Sequence, residues 1–306
     1  MQLLNSIITG VLPIVPKSIV QKVSARYIAG ATLDDAVNTV RSLNKIGAMA
    51  TVDVLGEFIS TREEAERNAR YCIEVVQRLY TEKLQGNLSI KLTSLGLGLD
   101  DELCERNVRS ILTTALNCGN MFVRMDMENS PYTTLTLDLY KKLRREFPNV
   151  GGVLQSYMRR TEQDIKDLLM EGAANGTRTN IRLCKGIYRE APEIAFQERK
   201  EVQDNYLRAL ELLLSGGAYV GIATHDDVLI EGGKKLVKKY ARANDTFEFQ
   251  MLLGVRENAR DKTIKEGYRL RVYVPFGSEW YGYSMRRLKE NPSVAGYIVK
   301  AMFGMG

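Results

Sequence analysis

The sequence predicts an α/β fold, a TIM-like (β/α)₈ barrel, on three observations. Short apolar runs alternate with amphipathic stretches from end to end, the runs number eight, and 306 residues is an ordinary length for one such barrel. No Ser/Gly linker, internal repeat or low-complexity stretch divides the chain, so one domain over 1–306 is expected, with residues 1–30 as an N-terminal arm.

The arm opens MQLLNSIITGVLPIVP, uncharged but interrupted by Pro13 and Pro16 and with no basic residues before it. That is too short to span a bilayer and lacks the pattern of a signal peptide, so it reads as a segment packing on the body. A membrane-touching arm is the second reading. The expected strands follow as ATVDVLG, LSIKLTSLG, MFVRMDME, GGVLQSY, IRLCKG, YVGIATH, FEFQMLLG and LRVYVPFG. Helical patterns lie between them. In TREEAERNARYCIEVVQRLY, Ala65, Ala69, Cys72, Val76 and Leu79 share one face, and Thr61 with Glu64 forms a capping box at the start.

Alternation within the strands carries a sharper message. Met121, Val123, Met125 and Met127 oppose Arg124, Asp126 and Glu128; Leu88, Ile90 and Leu92 oppose Ser89, Lys91 and Thr93; Val272, Val274 and Phe276 oppose Arg271 and Tyr273. In a barrel one strand face packs on the helices and the other lines the lumen, so the apolar set faces out and the charged set faces in. Buried charges are costly unless paired, which predicts Arg124, Arg271, Asp53 and Glu248 as a structural network low in the lumen. Polar residues nearer the strands' C-terminal ends are the functional candidates.

Lys91 and Asp126 should project inward from neighbouring strands as an ion pair, either structural or lining a pocket for a zwitterion. A Schiff-base role for Lys91 or Lys185 is an open alternative. Gln155, Arg182 and Thr224 add an amide, a cation and a hydroxyl from three further strands, a ring suited to a hydrogen-bonding cofactor edge. His225, the one histidine, opens the THDD turn, where a structural or ligand-contact role is the ordinary one. After the eighth strand, SEWYGYSMRRLKENP predicts a helix ended by Pro292, with Arg286 and Arg287 adjacent, Glu290 one turn on, and Trp280, Tyr281 and Tyr283 able to bury a face. Two guanidinium groups bordering a pocket are matched to a carboxylate.

Composition excludes several classes. The four cysteines have no C-x-x-C spacing and there is one histidine, which argues against a zinc site and for a reducing cytosol. Lys and Arg are spread along a chain of net charge +6, which argues against nucleic acid. There is no G-x-S-x-G and no Ser–His–Asp grouping, so acyl chemistry is not expected. A binding protein that uses the same pocket without turnover is the non-enzyme alternative.

At this point the residues resemble the proline dehydrogenase family. The segments TVDVLGE, SIKLTSLG, VRMDMEN, VLQSYMRRTEQD, RLCKGIYRE, IATHDD, FEFQMLLGVR and VYVPFGSEWYGYSMRRLKENP appear in the family's order over roughly residues 45–300. The combination of R-L-x-K-G-x-Y, A-T-H-D and Y-x-x-R-R-L is specific, and the chain looks like the monofunctional bacterial type.

The resemblance implies a distorted barrel holding FAD at the strands' C-terminal ends, with the final helix carrying the paired arginines over the site. It implies oxidation of L-proline to Δ1-pyrroline-5-carboxylate by hydride transfer to FAD, the first step of proline catabolism, with a membrane quinone taking the electrons. It further implies a cytoplasmic protein peripheral to the inner face of the membrane, in transient contact with pyrroline-5-carboxylate dehydrogenase. Asp126 and Arg182 would be catalytic, with Arg182 near flavin N5. Lys91, Asp126, Leu252, Tyr273, Tyr283, Arg286 and Arg287 would surround the substrate. Met127, Gln155, Arg182, Cys184, Lys185, Gly186, Thr224, His225, Gln250 and Glu290 would contact the cofactor. The chain departs from the family pattern at Glu279, Ile187 and Asn291, where the family usually has Asp, Ala and Arg.

Overall fold

The computed structural model describes residues 25–282, together with Val20 and Ser284. Eight parallel strands close into a barrel in sequence order: β1 (Met49–Val54), β2 (Gly86–Ile90), β3 (Val123–Met125), β4 (Val150–Gln155), β5 (Asn180–Cys184), β6 (Tyr219–Ala223), β7 (Phe247–Leu252) and β8 (Leu270–Phe276). The helices are α1 (Leu33–Lys45), α2 (Arg62–Thr81), α3 (Asp101–Asn117), α4 (Ser130–Leu143), α5 (Thr161–Asn175), α6 (Arg199–Ser215), α7 (Asp227–Lys239) and α8 (Glu257–Lys265).

All eight expected strands form, because each has an apolar face that the helices must cover. Val52, Leu88, Val123, Ile181, Val220, Phe249 and Val274 are fully buried against the helical shell. Two strands are shorter than their alternation suggests. β2 ends at Ile90, and Leu92–Leu95 turns into a 3₁₀ segment closed by Gly96 at φ 116°. β3 ends at Met125, although the Asp126 amide still donates to the Ile90 carbonyl.

Helix starts follow from capping. Thr32 with Asp35 and Thr61 with Glu64 form complete capping boxes on α1 and α2. The expected face of α2, with Val75 added, is buried. β1 pairs with β8 over Met49–Val54 and Arg271–Phe276, which closes the sheet. α1, which precedes the first strand, packs against β1 and β8 and so covers the seam on the outside. A helix following β8 is thereby relieved of that duty. Such a helix begins at Trp280, whose side chain packs on Ile28 and Leu55. Of the expected arm, only Val20 and residues 25–30 are described; there the Ala29 amide donates to the Pro275 carbonyl and the Gly277 amide to Gly30.

Candidate active site

The lumen is polar throughout, as the strand alternation requires, and it divides into a floor and a mouth. The floor lies near the strand starts. Arg271 grips Glu248 through Nε (2.7 Å) and Nη2 (3.1 Å), and the Tyr219 hydroxyl donates to the same carboxylate at 2.8 Å. Burial alone would raise the Glu248 pKa, but the Arg271 charge and the converging donors overcome it and bring it down to about 2. Arg124 donates to the Gly152 and Asn180 carbonyls and to Asn180 Oδ1. Burial and the charge of Arg182 pull its pKa down to about 9, which still leaves it charged at neutral pH. The lumen has room for this guanidinium because β4 carries glycine opposite it: a Cβ on Gly151 would lie 2.5 Å from Arg124 Nη1.

The expected floor network of Arg124, Arg271, Asp53 and Glu248 is therefore corrected in two places. Arg124 is satisfied by backbone and Asn180 rather than by a carboxylate, and Asp53 belongs to the mouth. It is the fifth residue of β1, and its Oδ1 takes the Lys91 ammonium at 2.6 Å. The expected Lys91–Asp126 pair is replaced by this one. The physical reason is that Asp126 already has three other donors: Ser89 Oγ (2.6 Å) and Arg182 Nη1 (2.6 Å) donate to Oδ1, and the Tyr273 hydroxyl donates to Oδ2 at 2.7 Å. Lys91 remains within the electrostatic reach of Asp126.

Burial alone would lower the Lys91 pKa, but the Asp53 and then the Asp126 charge outweigh it, and the ammonium is held protonated. A lysine held in that form is a poor Schiff-base nucleophile, which weakens the aldolase alternative at this position. Burial lifts the Asp53 carboxyl above its ordinary range; Lys91 opposes this and the Asp126 charge adds to it. Asp53 Oδ2 is buried and has no hydrogen-bond donor among the described residues.

Arg182 joins the mouth to the floor. Its Nε donates to Gln250 Oε1 at 2.6 Å, its guanidinium carbon lies 5.2 Å from the Tyr273 ring centre, and Gln250 Nε2 donates to Glu248 Oε1 at 2.6 Å. Lys91, Asp126, Arg182, Gln250 and Tyr273, all expected as site residues, thus converge in one lumen.

A second group runs along the ends of β4 to β7. Gln155 Nε2 donates to the Glu128 carbonyl at 2.9 Å, which leaves its own carbonyl oxygen as the remaining acceptor. Lys185 Nζ lies 3.7 Å and Arg199 Nη2 3.1 Å from Asp226 Oδ2, so two exposed cations flank one carboxylate. Gly186 has φ 109°, and a Cβ there would meet the Tyr157 ring at 2.2 Å, so the loop can lie down on that ring only without a side chain. The Thr224 hydroxyl accepts from the Asp226 amide at 3.1 Å. His225 Nε2 accepts from the Leu252 amide at 2.8 Å, stitching the end of β6 to the end of β7. Cys184 donates weakly to the Leu154 carbonyl at 3.6 Å, and burial pushes its thiol up to about 11, so it is no nucleophile. Met127 is buried with the apolar core. Tyr283, Arg286, Arg287 and Glu290 lie outside the described residues.

Sequence reasoning missed Ser89, Asp226 and Arg199, and it misplaced Asp53. The position of Asp53 next to the C-terminal end of its strand is the signal that would have placed it at the mouth. Among the described residues no group of histidine, cysteine, aspartate and glutamate could hold a metal ion, and no helix is long and apolar enough to cross a membrane.

Comparisons with known proteins agree with one another. The family model for proline dehydrogenase matches residues 36–299. Proline dehydrogenase 2 of Bacillus subtilis (strain 168) is 40% identical over 279 residues, 91% of this chain and 90% of that protein. The proline dehydrogenase of Deinococcus radiodurans is 35% identical over 282 residues, covering 90% and 89%. Among solved structures, proline utilization A (PutA) from Bdellovibrio bacteriovorus, inactivated by N-propargylglycine, superimposes with a TM-score of 0.84 at 25% identity. That match covers 92% of this chain and 34% of the longer one.

Proposed function

Because the chain belongs to the proline dehydrogenase family, oxidoreductases of proline catabolism, we propose that it oxidises L-proline to Δ1-pyrroline-5-carboxylate with FAD as cofactor and a membrane quinone as final acceptor. The observation that carries this reading is the mouth network, in which Asp126 orients both Arg182 and Tyr273 beside the Lys91–Asp53 pair.

The donor set fits a flavin dinucleotide. An acceptor from β4, the Gln155 carbonyl oxygen, and a guanidinium from β5, Arg182, stand on adjacent strands, as a ring edge carrying both donors and acceptors requires. Beyond them, Lys185 and Arg199 outnumber the one carboxylate they share, which suits a pyrophosphate. Thr224, His225, Cys184 and Gly186 supply the wall between, with Met127, Gln250 and Glu290 as lesser contacts. When bound, the flavin would supply the hydride acceptor.

The protein's share is to bind, orient and manage charge. Arg286 and Arg287 would take the substrate carboxylate, fixing the ring carbon next to nitrogen for reaction. Leu252, Tyr273 and Tyr283 would shape the space around the ring. The cationic amine must lose a proton before or during hydride transfer, and Asp53, Asp126 and Tyr273 are the groups at hand to accept or relay it. Arg182 would offset negative charge that accumulates at the cofactor. A cytoplasmic location with contact at the inner face of the membrane would follow from the quinone, and transient contact with pyrroline-5-carboxylate dehydrogenase from the product.

The test is the visible spectrum of the purified protein under anaerobic conditions, before and after L-proline. An oxidised flavin spectrum that bleaches is expected. Folded protein that takes up no FAD would overturn the cofactor assignment, and a flavin that resists proline would move the substrate to another secondary amine. In the Arg286→Ala/Arg287→Ala variant, KM for proline should rise by about two orders of magnitude; an unchanged KM would sink the carboxylate clamp.

A further inference from the structure

The lumen floor contains a buried carboxylate for which the proposed reaction has no direct use. Glu248 is 1% exposed, and its pairing with Arg271 and Tyr219 would satisfy it as a structural group. It has, however, one further partner, the Gln250 side chain two residues along the same strand. An ionised carboxylate only accepts, so the bond from Gln250 Nε2 decides which way round that amide lies. Its nitrogen faces the floor and its oxygen faces Arg182, where Oε1 accepts from Nε at 2.6 Å. With Nη1 held by Asp126 and Ser89, two edges of the guanidinium plane are fixed. Nη2 makes no hydrogen bond among the described residues.

We propose that Glu248 is a positioning residue that acts through Gln250 to set the direction in which Arg182 presents its guanidinium to the cofactor. This rests on the reading that FAD binds at the barrel mouth. Gly221 on β6 is part of the device. A Cβ there would lie 2.5 Å from Gln250 Nε2 and 2.9 Å from Cδ, so the amide occupies its place only because β6 carries no side chain at that point. Glu248 sits opposite Gly221 in register, and the Gln250 side chain reaches back from its position opposite Ala223 into the space that Gly221 leaves.

The relay is separable from the ion pair. Gln250→Met removes the link but leaves Glu248 with Arg271 and Tyr219. Gly221→Ala displaces the amide without deleting any polar group. In both, measured on the purified holoenzyme, the flavin midpoint potential should fall relative to wild type. The kcat for proline should drop about tenfold or more while KM stays within about twofold, and the thermal midpoint should change little. Glu248→Gln should show the same potential shift. The Glu248→Gln/Gln250→Glu exchange should recover most of it, because the amide placed at position 248 can donate to the carboxylate placed at position 250, which still accepts from Arg182. Unchanged potential and kcat in both Gln250→Met and Gly221→Ala would overturn the proposal, whether or not Glu248→Gln folds. Wild-type protein that binds no FAD would instead remove the cofactor reading, a result visible before any variant is made.

Discussion

Two carboxylates in this lumen are buried to the same degree and treated in opposite ways. Glu248 at the floor receives Arg271 twice, Tyr219 and Gln250, and its pKa is brought down to about 2. Asp53 at the mouth receives Lys91 through one oxygen, keeps the other without a hydrogen-bond partner among the described residues, and has its pKa raised. The first is fully matched in charge and hydrogen bonds, as a group serving the fold should be. The second leaves capacity for a proton or a donor from a ligand. Burial alone would not have told them apart; satisfaction does.

The contrast can be broken at the floor first. Arg271→Met should cost about 3–5 kcal/mol of unfolding free energy, measured by urea melts at neutral pH, because it strands a buried charge. A loss within error of zero would mean the floor pair is dispensable. The Glu248 pKa is lowered on folding, so its contribution is present above its ordinary value of 4.5 and is lost as pH falls from there toward about 2. The deficit of Arg271→Met should therefore be largest at neutral pH and shrink as pH falls through that window, because protonating Glu248 removes the stranded charge.

At the mouth, Arg182→Met should lower kcat for proline by about 10²–10³, as loss of a charge-stabilising donor does. Smaller again is a test of sign. Lys91→Met leaves Asp53 without its cation, and a carboxyl raised on folding contributes stability at low pH that is lost as pH rises. That variant should be more stable at pH 5 than at pH 8, the reverse of what the intact floor pair contributes; equal or lower stability at pH 5 would remove the raised carboxyl at the mouth. Outside the barrel, Thr61→Ala removes one half of the α2 capping box and should cost about 1 kcal/mol with activity unchanged.

Much of this was legible in the sequence. A strand with one apolar and one charged face, as in Val123–Asp126, can be assigned to shell and lumen by parity alone, and parity placed Lys91, Asp126, Arg182 and Tyr273 correctly. Pairing was not legible. Lys91 and Asp126 stand just past the ends of adjacent strands, yet each has another partner, because Ser89 reaches Asp126 from the neighbouring strand and Tyr273 reaches it from β8, positions no local pattern connects. The height of Asp53 was misjudged because charge type, rather than position along the strand, was used to sort floor from mouth. Arg199 and Asp226 were missed for a different reason: their contact joins a helix start to a distant strand end, with no periodic signal in either segment.

The seam between β1 and β8 has a consequence for how the molecule comes into being. Arg271 bonds Met49 across 222 positions, and α1 is folded against a strand made long after it. The most sequence-distant pairing in the sheet is also the one that makes it a cylinder, and contacts of such separation are slow to form. Until residue 276 is available, β1 and β7 are open edges and the charged lumen is an exposed sheet face. A nascent or truncated chain lacking β8 would offer two templates for intermolecular strand addition, so its hazard is association rather than simple loss of function.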